Sequence, residues 1–182
     1  MTQVTSFSPI ANQSAQILIL GSMPGVLSLK ANQYYAHPRN GFWPIMASIY
    51  GFKSDIEYDL KVASLVANKI AVWDVLQCCV RQGSLDSSIV NGSRVANDFK
   101  AFFELHPNIK LIAFNGLEAE KSFKTLVLKS INSTTVDLKD LGLNQTSFND
   151  MNYVLLPSTS PANTQSLQSK MDVWKKALVV SS

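Results

Sequence analysis

An α/β fold built on a parallel sheet is the class this sequence predicts, on three observations. Apolar runs of strand length alternate with amphipathic runs of helical period. Each of the four strand runs passes at once into a polar or turn-forming segment, and no linker, repeat or low-complexity stretch divides the chain. With 182 residues, 46% of them hydrophobic, the chain can bury a sizeable core without staples, so a single domain over residues 1–182 is expected.

Each element has its own warrant. Ile17 to Leu20 is apolar throughout, as in a strand covered on both faces of a parallel sheet, and it ends in Gly21-Ser22-Met23-Pro24-Gly25. Phe42 to Tyr50 predicts a short helix stopped by Gly51. Glu57 to Lys69 predicts a helix with Leu60, Leu65 and Val66 toward the core, and Ile70 to Trp73 a second strand running into Asp74. A polar segment containing GSLDSSI leads to a helix over Asp98 to Leu105, with Phe99, Phe102 and Phe103 inward and His106-Pro107 as its stop. Lys110 to Phe114 is a third strand, closed by Asn115-Gly116 and followed by a helix that turns Phe123, Leu126 and Val127 inward. Residues 130 to 150 read as one irregular connection. Tyr153 to Leu156 is a fourth strand ending at PSTSPAN, and the last helix spaces Leu167, Met171, Trp174 and Leu178 as an apolar stripe, read as core packing rather than a partner site.

Composition narrows the classes. No apolar stretch approaches the roughly 20 residues needed to cross a bilayer, and the polar N-terminus lacks a signal peptide's charged and apolar regions, so a cytoplasmic protein is expected. Cys78 and Cys79 are adjacent, which disfavours a disulfide between them and supplies no spaced ligand set; two buried structural thiols and no metal are expected. The net charge of +3 is compatible with nucleic-acid binding without proving it, and Lys30 and Arg39 bracket the segment of interest.

Parallel strands would bring GSMPG, Asp74, Asn115-Gly116 and PSTSP to one edge, where open α/β sheets bind ligands. Gly21 and Gly25 permit a tight turn and Pro24 stiffens it, leaving amides for a phosphate, a base edge or a water. Tyr34, Tyr35, His37, Arg39, Asn40, Phe42 and Trp43 then follow within ten positions: stacking surfaces, a cation and an amide, the parts that hold an unstacked base.

LGSMPG, YYAHPRNGFWP, AVWDVL with the later GSLDSSI, AFNG and LLPSTSPAN together resemble the hypoxanthine-DNA glycosylase (DNA-deoxyinosine glycosylase) branch of the uracil-DNA glycosylase superfamily, over about Ile17 to Trp174. The resemblance implies a three-layer α/β/α sandwich with a short, mainly parallel four-stranded sheet, no cofactor, and a monomer acting on damaged DNA. It implies hydrolysis of the N-glycosidic bond of a flipped, deaminated base, hypoxanthine with uracil or xanthine as further candidates, to start base excision repair. Two departures from the wider superfamily stand out. Met23 occupies the place of a water-positioning Asp or Asn, and Leu156 that of a His that opens the last motif. In the branch this chain resembles, the catalytic amide lies in the HPRN segment, which maps onto Asn40.

With that resemblance in view, Asn40 is the candidate catalytic residue, its carbonyl holding water and its NH2 near the sugar; a helix N-cap is the alternative, and both can hold together. Gly21, Ser22, Met23, Pro24, Gly25 and Asn115 are substrate-binding candidates. Asp74 stands where other members carry a base-reading amide, and a carboxylate there could accept hypoxanthine N1–H and repel adenine's bare N1; a capping or ion-paired Asp is the alternative. Tyr35 or Phe42 could stack on the base, with Trp43 in the core. His37 and Arg39 would meet phosphates, and His37 could also protonate purine N7. Ser158, Thr159 and Ser160 would offer hydroxyls and amides to the DNA backbone, while Arg81 and Asp86 could pair and fix their loop. Two other classes stay open: a DNA-binding module without activity, and a small-molecule α/β hydrolase whose GSMPG turn cradles a phosphate, although the chain has neither the P-loop ending nor the GxGxxG spacing.

Overall fold

The computed structural model describes residues 2–128 and 151–179. The chain runs β1 (Thr2–Thr5), β2 (Ile17–Gly21), α1 (Val26–Ala31), α2 (Phe42–Tyr50), α3 (Tyr58–Ala67), β3 (Ile70–Asp74), β4 (Leu76–Arg81), β5 (Val95–Ala96), α4 (Phe99–Leu105), β6 (Leu111–Asn115), α5 (Leu117–Ser122), β7 (Asn152–Leu156) and α6 (Leu167–Val179). A 3-10 turn over Asp86–Ser88 lies between β4 and β5, and α5 continues into a π-helical turn over Phe123–Leu128.

Four strands form one parallel sheet in the order β3-β2-β6-β7. β2 and β3 are buried at every position, which is why their sequences carry no polar alternation. The register pairs Leu20 with both Trp73 and Phe114, and Gly21 with Asp74. Residues paired across a ladder share a face, and successive residues alternate. Trp73 and Phe114 therefore point to one side, where Trp73 meets Phe99 and Phe102 of α4, and Phe114 meets Phe123. Gly21, Asp74 and Asn115, one residue on, point to the other side at the carboxyl edge, the side covered by α2, α3 and α6. There Phe42 lies edge-on to Trp174, whose indole N–H donates to the Pro157 carbonyl. Helices on both faces of the sheet make the three layers that the resemblance implies.

A second, antiparallel sheet, β1-β4-β5, is an addition to the expected fold. The sequence marks no boundary for it, because β3 and β4 are contiguous in an apolar run, IAVWDVLQCCVR, broken by neither Gly nor Pro. Helix α1 forms where the sequence predicts a loop. Two expected core residues turn outward instead: Leu60 is 56% and Leu167 43% exposed, since each lies at the margin of its helical stripe. Cys79 is buried and Cys78 only half-buried, and both are free thiols. The expected connection over 130–150 lies outside the described residues. No helix among the described residues is long and apolar enough to cross a membrane.

Candidate active site

The carboxyl ends of the parallel strands meet the α1–α2 segment around a cavity of about 140 Å³. Drug-sized pockets run from roughly 300 to 1,000 Å³, so this one has room for a single ring system. Gly21 to Gly25, Tyr35, His37, Asn40, Asp74, Asn115 and Ser158 to Ser160 all line it, so most of the residues singled out from sequence do converge. Phe42 and Arg39 do not.

Asn40 stands just before α2. Its side-chain oxygen accepts from the Phe42 backbone N–H at 2.9 Å, and its own N–H donates to the His37 carbonyl at 2.8 Å. Because Phe42 N–H is a donor, the atom facing it must be the amide oxygen. That fixes the rotamer and leaves the NH2 without a protein partner among the described residues, free for the cavity. The N-cap of α2 is Gly41, so Asn40 is not the cap that the alternative reading expected; one residue earlier, it turns the chain into the helix by binding the first helical amide.

Asp74 forms the floor. It is 3% exposed, and its Oδ2 is buried with no hydrogen-bond partner among the described residues. Burial, with the Asp86 carboxylate adding to it and Arg81 opposing, pushes its carboxyl up to about 8, so near neutrality Asp74 is chiefly the uncharged acid. In that form the carboxyl offers a donor as well as an acceptor, where the sequence reading considers an accepting carboxylate. Gly21 opposite must be glycine, since a Cβ there would collide with Asp74 Oδ1 and stand 3.2 Å from the Tyr35 hydroxyl.

Tyr35 holds a left-handed backbone, φ 56°, unusual for an aromatic residue and a mark of a constrained site. Its ring stacks on Phe42 at 3.9 Å between centroids, and Phe42 is fully buried beneath it. Phe42 is therefore a support, not a stacking surface for a ligand; helix α2 turns it into the core against Trp43 and Trp174. Trp43 is in the core as expected, its indole N–H donating to the Tyr34 carbonyl.

Thr159 also departs from expectation. It is 1% exposed and clamped: its N–H donates to Asn115 Oδ1 at 2.8 Å, its hydroxyl accepts from Asn115 Nδ2 at 2.9 Å, and its carbonyl accepts from Gly41 N–H at 2.9 Å. A side chain so enclosed has no surface for DNA. Instead, Thr159 and Asn115 strap the end of β6 to the last loop and to the start of α2, which holds Asn40 in place. Ser158 and Ser160 remain half-buried on the cavity wall. Arg39 is exposed, beside a neighbouring groove it shares with Asn40, Pro161 and Lys170, and its N–H donates to His37 Nδ1.

The loop after β4 supplies what sequence reading left out of the pocket. Asp86 lines the cavity near its mouth, its side chain 38% exposed, and accepts from the Ser22 hydroxyl at 2.8 Å. Arg81, fully buried behind it, stands 3.9 Å from Asp86 and donates to the Pro24 carbonyl. Ser84 accepts from Val26 N–H, pinning the same loop to α1. The Arg81–Asp86 pairing was legible; that it brings a second carboxylate into the pocket was not, because residues 26–82 separate GSMPG from GSLDSSI. Among the described residues, no three His, Cys, Asp or Glu side chains are grouped as metal ligands.

An α/β/α sandwich with a cavity for one ring system at its carboxyl strand ends, lined by the amides of Asn40 and Asn115 and the carboxyls of Asp74 and Asp86, has the shape and polar groups to take a flat heterocycle. Residues 8–180 match the uracil DNA glycosylase superfamily, and the chain belongs to that family. It is 33% identical over 172 residues to a protein named hypoxanthine DNA glycosylase from Methanosarcina barkeri, covering 94% of this chain and 95% of that one. It is 39% identical over 114 residues to a protein of the same name from Methanosarcina acetivorans, covering 62% and 71%. A solution NMR structure from Methanosarcina acetivorans, described as a candidate uracil DNA glycosylase, superposes with a TM-score of 0.71 at 28% identity over 96% of this chain and 98% of that one.

Proposed function

We propose that this protein is a monofunctional DNA glycosylase that removes hypoxanthine, flipped from duplex DNA, by hydrolysing its N-glycosidic bond, and that it acts as a monomer without a cofactor. The observation that supports it most is the pairing, in one cavity, of Asn40 with its free NH2 and Asp74 with an unpartnered buried oxygen. An orphaned buried polar atom costs about 1–3 kcal/mol unless a ligand satisfies it. Hypoxanthine presents N1–H as donor and O6 as acceptor. A neutral carboxyl at Asp74 answers both, its carbonyl oxygen accepting from N1–H and its hydroxyl donating to O6. Adenine reverses that pattern with a bare N1 and an exocyclic amine. A protonated Asp74 can rotate to answer adenine too, so discrimination also draws on the lower cost of unstacking a mismatched inosine.

The sugar left behind resembles an oxocarbenium ion. Asn40 is too weak a base to ionise water, so its contribution is orientation: a water held beside the sugar in a site already formed. Tyr35, backed by Phe42, offers its ring to the base, and Arg39, outside the cavity, meets the phosphates. Incubation with duplex containing deoxyinosine tests the reading: abasic sites and free hypoxanthine support it, while binding without release identifies a DNA-binding module and neither outcome leaves the glycosylase reading standing.

A further inference from the structure

The cavity holds two carboxyls of different surroundings and one buried cation to balance them. Asp74 lies at the floor, 3% exposed, with Oδ2 unpartnered. Asp86 lies at the mouth, part-exposed, anchored by the Ser22 hydroxyl and 3.9 Å from the Arg81 guanidinium. Arg81 in turn is fixed by the Pro24 carbonyl. A flat base enters deepest and its sugar and phosphates stay at the mouth, so the floor group meets the base and the mouth group meets the sugar. Burial raises both carboxyls, but at Asp86 the Ser22 hydrogen bond, Arg81 and Arg94 oppose the rise, whereas at Asp74 only Arg81 opposes it and the charge of Asp86 adds to it. Pairs of carboxyls whose environments push them apart are a recurrent way of running acid and ionic chemistry in one site.

Resting on the glycosylase reading, we infer that the two carboxyls divide the reaction: Asp74 is the neutral acid that protonates the departing purine, and Asp86 is the anion that faces the sugar cation. As the C1′–N9 bond breaks, its electron pair leaves with the base. The proton moves from the Asp74 hydroxyl, which stands at O6, to the adjacent ring nitrogen N7, so the purine departs neutral as its N7–H tautomer and Asp74 becomes a carboxylate. Water then bonds to C1′, and the proton it sheds restores Asp74 by way of solvent or Asp86, so that one water is consumed and no net proton. Asp86 stabilises the positive sugar without bonding to it. The groups facing Asp74 are Tyr34 and Tyr35 from the segment before α2, Asp86 from the loop after β4 and Arg81 at the end of β4, with His37 sharing the cavity.

The test combines single-turnover excision of deoxyinosine from pH 5 to 9.5 with carboxyl-carbon NMR of the intact protein. The wild-type rate should be level at low pH and fall up to tenfold per pH unit above about 8, where Asp74 loses its proton. Asp74→Asn should slow excision at pH 6 by about 100-fold, at the lower end of acid–base contributions, and remove the alkaline fall. Asp86→Asn deletes a neighbouring negative charge, so it should shift the alkaline fall to lower pH while slowing the level region. The Asp74 carboxyl should be protonated at pH 6 by NMR, a readout independent of activity. An ionised Asp74 at pH 6 overturns the inference, as does an alkaline fall that survives in Asp74→Asn or disappears in His37→Gln. A wild type that binds deoxyinosine duplex yet releases no base would sink the glycosylase reading itself, while the NMR titration still reports the state of Asp74.

Discussion

Asn40 serves two masters with one amide. Its oxygen holds the first amide of α2, Phe42 N–H, while its NH2 is left for the cavity, so its two roles can be separated by what each removal costs. Asn40→Ala should lower stability by only about 1 kcal/mol, the usual net worth of one hydrogen bond, measured by thermal denaturation. The single-turnover rate on deoxyinosine should fall by about 100-fold or more, as when one preorganised polar group is lost from a transition state. Asp74 carries a second prediction. Its carboxyl rises from 3.8 to about 8 on folding, so between about pH 4 and about pH 8 the folded state keeps a proton that the unfolded state has lost. Stability therefore falls as pH rises through that window. Asp74→Asn, with no proton to lose, should flatten the fall in a series of melting temperatures; an unchanged slope would show that Asp74 is ionised throughout.

At the scale of elements, the site is an assembly of ends. β2 ends at Gly21, β3 at Asp74, β6 at Asn115 and β7 at Leu156, and each end hands over to a loop that another element holds. Asn115 grips Thr159, Thr159 grips Gly41, and Lys170 of α6, itself 5% exposed, donates to the Asn163 carbonyl at 2.9 Å to hold the far side of the last loop. Gly116 is the hinge between β6 and α5, with φ 100° and an added Cβ only 2.9 Å from that of Ser158. Gly116→Ala should therefore cost about 1–3 kcal/mol from backbone strain alone, seen as a lower midpoint in chemical denaturation. It should also slow excision more than the stability loss explains, because the displaced Ser158 drags the Thr159 strap.

For the molecule as a whole, the modest net charge of +3 means that DNA binding depends on where cations stand. Arg39 is exposed beside the groove that adjoins the cavity. Each phosphate contact releases counterions, so binding should weaken steeply with salt, and Arg39→Ala should reduce the salt slope by about one contact while weakening damaged and undamaged duplex alike. Fluorescence anisotropy across a salt series checks both; an effect confined to damaged duplex would move Arg39 into the pocket.

The four strands of the parallel sheet, their order of alternation with helices and the polar segments after each were legible because buried strands are apolar throughout and their ends are marked by Gly, Asp, Asn and Pro. That pattern alone gathered GSMPG, Asp74, Asn115 and PSTSP at one edge. What only the tertiary structure decided depends on contacts between residues far apart in the chain. Phe42 went under Tyr35 because α2 faces the core, and Thr159 vanished into a clamp with Asn115, forty-four residues away. Asp86 entered the pocket because Arg81 and Ser22 hold its loop there. The protonation of Asp74 belongs to the same class: a residue's type and neighbours in sequence fix its ordinary acidity, but its removal from water and the charges set around it exist only once the chain has folded.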